Sequence, residues 1–297
     1  MVLSETARLV VPVMAATGGS ARSTVAHLLA DEVATTADTV VLDLAPRLAS
    51  PWPTWTGEAA EATQGAGLVA LPSDRPATRG HIRAATARRR GPAGDWSVLT
   101  DGREWHATPL DLPSRPAAWY QLAAAGGWQA LVADTAHPIA HDVLAARYSG
   151  SPSLTRGWCD LPFAVPVLCA QATADGIQLL QQAVMVLHAE GLPLHRSVVV
   201  LAATADGRPP AVVRAAATML SARTAAVVHL PHDADIRAHG LQAQPARIRQ
   251  RTRQAARELA TAVLAAAHAS FGDPLPVAPQ PAPLPAVSVP AVAVPAV

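Results

Sequence analysis

Short runs of apolar, often β-branched residues alternate with helix-forming stretches along most of this chain. The runs at 8–15, 39–44, 96–99, 130–133, 165–170, 197–202 and 225–230 are apolar nearly throughout, with no polar face. Helical patterning fills the intervals 23–33, 119–125, 175–190, 210–220 and 247–271. A strand that is apolar on both sides must be covered on both sides, and parallel strands need a crossover between them. The expectation is therefore an α/β fold, a mostly parallel sheet sandwiched by helices. Such sheets bind ligands beyond the carboxyl ends of their strands, so the residues that follow each run carry the chemistry. The interval 46–80, rich in Pro, Trp, Gly and Ser, reads as irregular.

A chain of 297 residues, half of them hydrophobic, can bury a sizeable core in one large domain. Its formal net charge of +1 gives no bulk electrostatic case for nucleic acid or an anionic membrane. The 23 basic residues are all Arg, and with abundant Ala this suggests GC-rich coding of actinobacterial type. Cys159 and Cys169 form no CxxC pair and read as reduced, buried thiols. There is no charged leader followed by an apolar stretch, and no run nears the ~18 residues of a membrane span. A cytoplasmic protein without a transmembrane segment is expected. From 274 onward Pro alternates with Ala, Val and Leu without charge, which blocks helix and sheet alike. The expected division is a domain at 1–272 and a disordered tail at 273–297. That tail is a spacer or a ligand for a proline-binding domain.

The strongest local feature follows the first run: Ala16, Thr17, Gly18, Gly19, Ser20, Ala21, Arg22, Ser23 and Thr24, leading into a helix. A glycine-containing turn there lets backbone N–H groups converge on an anion, and the helix N-terminus adds favourable partial charge. Arg22 could reach terminal phosphates and Ser23 could hold Mg²⁺. The plainer alternative is an ordinary strand-to-helix turn in which Ser or Thr caps the helix.

Read in order, these features resemble the ParA/MinD family of P-loop ATPases, whose deviant loop is G-K-G-G-x-G-K-[ST]-T. Gly18, Gly19, Ser23 and Thr24 match it; Thr17 and Arg22 stand where the family has its two lysines, and Ala16 and Ala21 replace glycines. Asp43, in Asp43-Leu44-Ala45-Pro46, resembles the first acid of the family's D-x-D-P. Asp134-Thr135 resembles its Walker B ending, and Pro231-His232-Asp233 its late P-x-D. The family's base-contacting Asn is replaced by Ala202 or Ala203. The resemblance covers about residues 8–270. It implies ATP and Mg²⁺ as ligands, with Ser23 and Asp134 on the metal and Asp43 and Asp134 catalytic. The residues from Gly18 through Ser20, Ala21, Arg22, Ser23 and Thr24, together with Pro231 and Asp233, would contact the nucleotide. It also implies a homodimer that positions a cargo, DNA or a membrane-associated protein.

The departures bear on activity. Arg is a planar fork needing more room than Lys, and Thr17 supplies no cation. Phosphoryl transfer depends on positioned positive charge, so binding with slow or absent hydrolysis is expected, with a non-enzymatic adaptor as the alternative. Other candidates keep two readings each. Asp134 and Asp43 could be ordinary strand-end caps. His137 and His141, beside Asp142, could form a metal face if helical, although Pro138 makes such a helix irregular. Trp52 and Trp55 could pack over the nucleotide loop or anchor a partner. Arg247, Arg249, Arg251, Arg253 and Arg257 could hold DNA phosphates or form a solvated face opposite the stripe Ile248, Ala255, Leu259 and Val263.

Overall fold

The structure, a computed structural model, describes residues 3, 6–58, 62–63, 67–72, 75–90, 94–104, 106–108 and 110–281. Its strands are β1 (Leu9–Ala15), β2 (Thr39–Asp43), β3 (Ala62–Thr63), β4 (Ala87–Arg90), β5 (Asp95–Leu99), β6 (Ala130–Pro138), β7 (Val167–Gln171), β8 (Val198–Ala202) and β9 (Ala226–Leu230). Between them run α1 (Arg22–Val33), α2 (Trp52–Glu58), α3 (Arg79–Ala85), α4 (Pro116–Gly126), α5 (Ile139–Ser149), α6 (Leu154–Cys159), α7 (Ala174–Ala189), α8 (Ala211–Ser221), α9 (Ala234–His239) and α10 (Gln250–Phe271). Among the described residues they form one nine-stranded sheet in the order β3-β4-β5-β2-β6-β1-β7-β8-β9. The strands from β5 to β9 along that order are parallel, and β3 and β4 add an antiparallel edge. The α/β sandwich read from the sequence is the fold observed.

Every residue of β1 is buried. Leu9, Val11 and Val13 face one layer with α1 and α10, where Leu29, Leu259 and Val263 meet them. On the other face, Val10 packs with Trp119, Trp128 and Trp158, and Met14 with Ile177 and Leu180 of α7. The alternation within each strand thus feeds two cores, which is why neither face could be polar.

Three local features differ from what the sequence led one to expect. Trp52 and Trp55 lie on α2, whose apolar side closes on α1. The basic stretch before β5 contributes β4, second from the edge of the sheet, which an apolar-run search overlooks because its sequence is Ala-Arg-Arg-Arg. Arg89 there is 3% exposed. Its guanidinium lies over Trp55 and Trp96, 5.9 and 5.7 Å from the ring centroids, and 3.8 Å from the Asp31 carboxylate, so the cation is held by aromatic faces and an ion pair. Pro138 does not disturb a helix; it precedes α5, in the one neighbourhood where its missing N–H costs nothing.

The tail expected from 273 lies against the body over its first described residues. Leu275 and Ala278 are buried, and Leu275 joins the core under α1 and α10. The Ala278 N–H donates to the Thr6 carbonyl at 2.9 Å, and Tyr120 Oη donates to the Pro279 carbonyl. Residues 282–297 lie outside the described residues. A buried Leu contributes about 1.5–3 kcal/mol, partly offset by ordering the segment. A chain ending at 273 is therefore expected to melt about 2–4 °C below one ending at 281. Equal melting temperatures would show that the docked segment contributes nothing.

Candidate functional site

The parallel strands bring the ends of β1, β2 and β6 together. Asp43 and Asp134 are register partners on β2 and β6, and Asp134 neighbours Val13 of β1. From β1 the chain turns through 16–21 into α1. Ser20 is buried, and its hydroxyl donates to the Thr17 carbonyl at 3.0 Å, closing the turn. Gln171, at the end of β7, donates from Nε2 to the Gly19 carbonyl at 2.9 Å. Gln171 was missed in the sequence, although the rule of inspecting strand ends would have pointed to it.

Ala21 caps α1 with φ 63° and ψ 21°, the left-handed region. The backbone thus keeps a conformation that suits glycine while the residue carries a methyl, at about 1 kcal/mol of strain. Ala21→Gly is expected to raise stability by about 0.5–1 kcal/mol, the reverse of adding a Cβ at positive φ. Equilibrium urea unfolding would show it, and an unchanged or lowered midpoint would refute it.

Arg22 opens α1 and donates from Nη1 to the His137 carbonyl at 3.3 Å, so its charge lies across the end of β6. The Asp134 carboxyl is raised by burial and pulled back by Ser23, by Trp52 and by the charge of Arg22. Trp52 Nε1 donates to Asp134 Oδ2 at 2.8 Å. Thr24 sits in the first turn of α1, and Thr135 donates to the Val13 carbonyl at 2.9 Å.

Asp43 is more burdened. Burial pushes its carboxyl up to about 7, against hydrogen bonds from Thr100, Ser50 and the Ala45 N–H, with the neighbouring Asp134 adding to the rise. Thr100 and Ser50 hydroxyls donate to Oδ2 at 2.6 and 2.7 Å. The Ser50 oxygen also accepts the Trp52 N–H at 3.1 Å. Ser50 and Trp52 thus fasten the start of α2 to both carboxylates. Behind them the rings of Trp52, Trp55, Trp96 and His27 form one buried cluster, with Trp55 and Trp96 stacked at 5.4 Å. Burial, and then the charge of Arg89, hold His27 well below its ordinary value, so the ring is neutral.

Pro231 and Asp233 follow β9, with β7 and β8 between them and the loop. Burial raises the Asp233 carboxyl, but its donors outweigh this and leave it lowered. Those donors are the N–H groups of Asp235, Ile236 and Arg249 and the Thr252 hydroxyl. Asp233 therefore ties the start of α9 to the start of α10. Arg249 and Arg251 of the basic cluster both pair with Asp206, and those hydrogen bonds hold Asp206 at about 2. Arg247, Arg253 and Arg257 are exposed.

His137 ends β6 and shares a 3.1 Å hydrogen bond with Thr155, while His141 is exposed on α5. Asp142 accepts from the N–H groups of Leu154 and Thr155 at the start of α6. These three do not converge, and among the described residues no group of three or more His, Cys, Asp or Glu could hold a metal ion. Both cysteines are buried, and burial pushes the Cys159 thiol up to about 12. At the ends of β2 and β6 lies an apolar cavity of about 460 Å³ lined by Leu44, Pro46, Trp119, His137 and Trp158. No described helix is long and apolar enough to cross a membrane.

Phosphate and metal fit this site differently. Gly18 and Gly19 are exposed, a Cβ at Gly18 would meet nothing within 4 Å, and the start of α1 and Arg22 lie alongside. An anion placed there could meet backbone N–H groups and a helix N-terminus. A divalent cation fits poorly. Asp134 is 4% exposed, and its Oδ2 already accepts from an indole N–H, which has no lone pair to give a metal.

No protein-family model matches the chain, and no curated protein matches its sequence. Solved structures do match in fold. The cell division ATPase MinD of Pyrococcus furiosus is 15% identical, with a TM-score of 0.56 over 86% of this chain and 98% of its own. The ParA family ATPase of Chlorobium tepidum is 14% identical, with a TM-score of 0.56 over 86% and 99%. The septum site-determining protein MinD of Pyrococcus horikoshii, solved with Mg-ADP, is 15% identical with a TM-score of 0.51 over 85% and 94%. The chain has the fold of the ParA/MinD P-loop ATPases.

Proposed function

We propose that this chain, built on the ParA/MinD fold, is a nucleotide-binding switch protein that holds ATP or ADP at the loop 16–24 and hydrolyses it slowly or not at all. The observation that carries the reading is the placement of that loop. It leaves β1, presents Gly18 and Gly19 to solvent, enters α1, and sets Arg22 beside paired Asp43 and Asp134. An anion there meets backbone N–H groups, a helix N-terminus and one guanidinium. Slow turnover follows from the missing charge, since Thr17 offers none and Arg22 is the loop's one cation. The relatives in fold are described as a cell division ATPase, a septum site-determining protein and a ParA family ATPase. By that likeness the chain would act in the cytoplasm as a homodimer positioning DNA or a membrane-associated protein.

A second reading, an adaptor that keeps the fold without using nucleotide, is favoured by the way α2 is fastened over both carboxylates. Calorimetric titration with ATP separates the two. Binding is expected, and Arg22→Ala should weaken it by about 1.5–3 kcal/mol, the worth of a charge-assisted contact. No binding heat, or equal affinity in wild type and Arg22→Ala, would favour the adaptor. Rapid turnover lost in Asp134→Ala would overturn the slow-hydrolysis part.

A further inference from the structure

We propose that Trp52 stands in for a divalent cation at Asp134, so that the loop takes up a nucleotide's phosphates as a free anion rather than as a metal chelate. This rests on the nucleotide reading above. A carboxylate that serves a phosphate-bound metal does so directly or by accepting a hydrogen bond from a water on the metal. Here Asp134 Oδ2 accepts the Trp52 indole N–H at 2.8 Å instead. An indole N–H only donates, so it occupies Oδ2 and offers a metal nothing.

Trp52 is not poised to swing away. It is fully buried, with ring centroids 6.1 Å from His27, 5.5 Å from Trp55 and 6.0 Å from Trp96. Its own N–H is held by Ser50, whose hydroxyl is spent on Asp43. Displacing the ring would therefore release both carboxylates from α2 and open the aromatic cluster. The positive charge left to face phosphate is Arg22, directed over the end of β6 by the His137 carbonyl. One guanidinium and a helix N-terminus can hold an anion, but they lack the metal that bridges phosphates in related chemistry. The same substitution that permits binding would thus keep the bound nucleotide intact.

The test is ATP titration by calorimetry, in excess Mg²⁺ and in EDTA. The wild-type affinities are expected to agree within about twofold, and a tightening of about tenfold or more in Mg²⁺ overturns the proposal. Trp52→Phe keeps a ring in the cluster and removes the donor. It is expected to gain a preference for Mg²⁺ of about fivefold or more, and indifference overturns the proposal. If ATP binds under neither condition, the nucleotide reading fails and Mn²⁺ uptake decides, followed by water proton relaxation. Wild type is expected to lack, and Trp52→Phe to possess, an Mn²⁺ site that Asp134→Asn abolishes. Such a site in wild type, or none in Trp52→Phe, overturns the inference by itself.

Discussion

Trp52→Ala is expected to lower the free energy of unfolding by about 3–5 kcal/mol, the cost of emptying a large aromatic site that its surroundings only partly refill. Trp52 is wholly buried, and three aromatic rings lean on it. The substitution also leaves Asp134 buried with one donor fewer, and an unpaired buried group adds to the loss. For a domain of marginal stability this is a large fraction of the total. Trp52→Phe keeps most of the packing and should lose only the hydrogen bond to a carboxylate, about 1.5–3 kcal/mol. Urea unfolding of the three proteins would show the order wild type, Trp52→Phe, Trp52→Ala. A loss below about 1 kcal/mol for Trp52→Ala would mean that α2 is not anchored as described.

The second large effect is on pH dependence. In the folded chain the Asp43 carboxyl titrates at about 7, whereas an unfolded Asp titrates near 3.9. Between those values the folded state holds more protons than the unfolded one, so stability falls as pH rises through about 4 to 7. The loss is on the order of 4 kcal/mol if the whole shift is realised. Burial raises Asp134 too, which acts in the same direction. His27 opposes them: its lowered value makes stability rise with pH up to the unfolded histidine value. The variant that isolates Asp43 is Asp43→Asn. The amide oxygen can accept the Ala45 N–H, and its NH₂ can donate to the Ser50 and Thr100 oxygens, with both hydroxyls reversed. Asp43→Asn is expected to gain on wild type steadily from pH 4 to 8, by about 2–4 kcal/mol at the upper end. A constant difference across that range would show that Asp43 is not raised.

Much of the fold could be read because its strands are buried on both faces. The runs ending at Asp43 and Asp134 needed no alternation, only length and position, and the sheet's carboxyl edge followed. The turn from β1 into α1 was legible as well, since glycines between an apolar run and a helical stretch mark a turn. What escaped was set by contacts distant in sequence. Trp52 and Asp134 are 82 residues apart, and no local pattern announces that an indole will donate to that carboxylate. Gln171 reaches Gly19 across 152 residues. β4 was hidden because Arg89 is buried by aromatic partners, where side-chain type alone predicts exposure. Asp233 was visible as an acid after a strand, but its four donors come from α9 and α10, whose placement only the tertiary fold fixes.

The strand order also sets a timetable for synthesis. β1 leaves the ribosome well before its partners, for it pairs with β6 on one side, Leu9 opposite Ala130, and with β7 on the other. At about 5–20 residues per second, Ala130 follows Leu9 by roughly 6–24 s and Val167 follows Val13 by roughly 8–31 s. Through that interval a strand destined for complete burial has an unpaired backbone on both sides, while α1, which covers one of its faces, is already made. Such segments are where nascent chains aggregate. The centre of the sheet is therefore the part of this molecule most dependent on being shielded before it is finished.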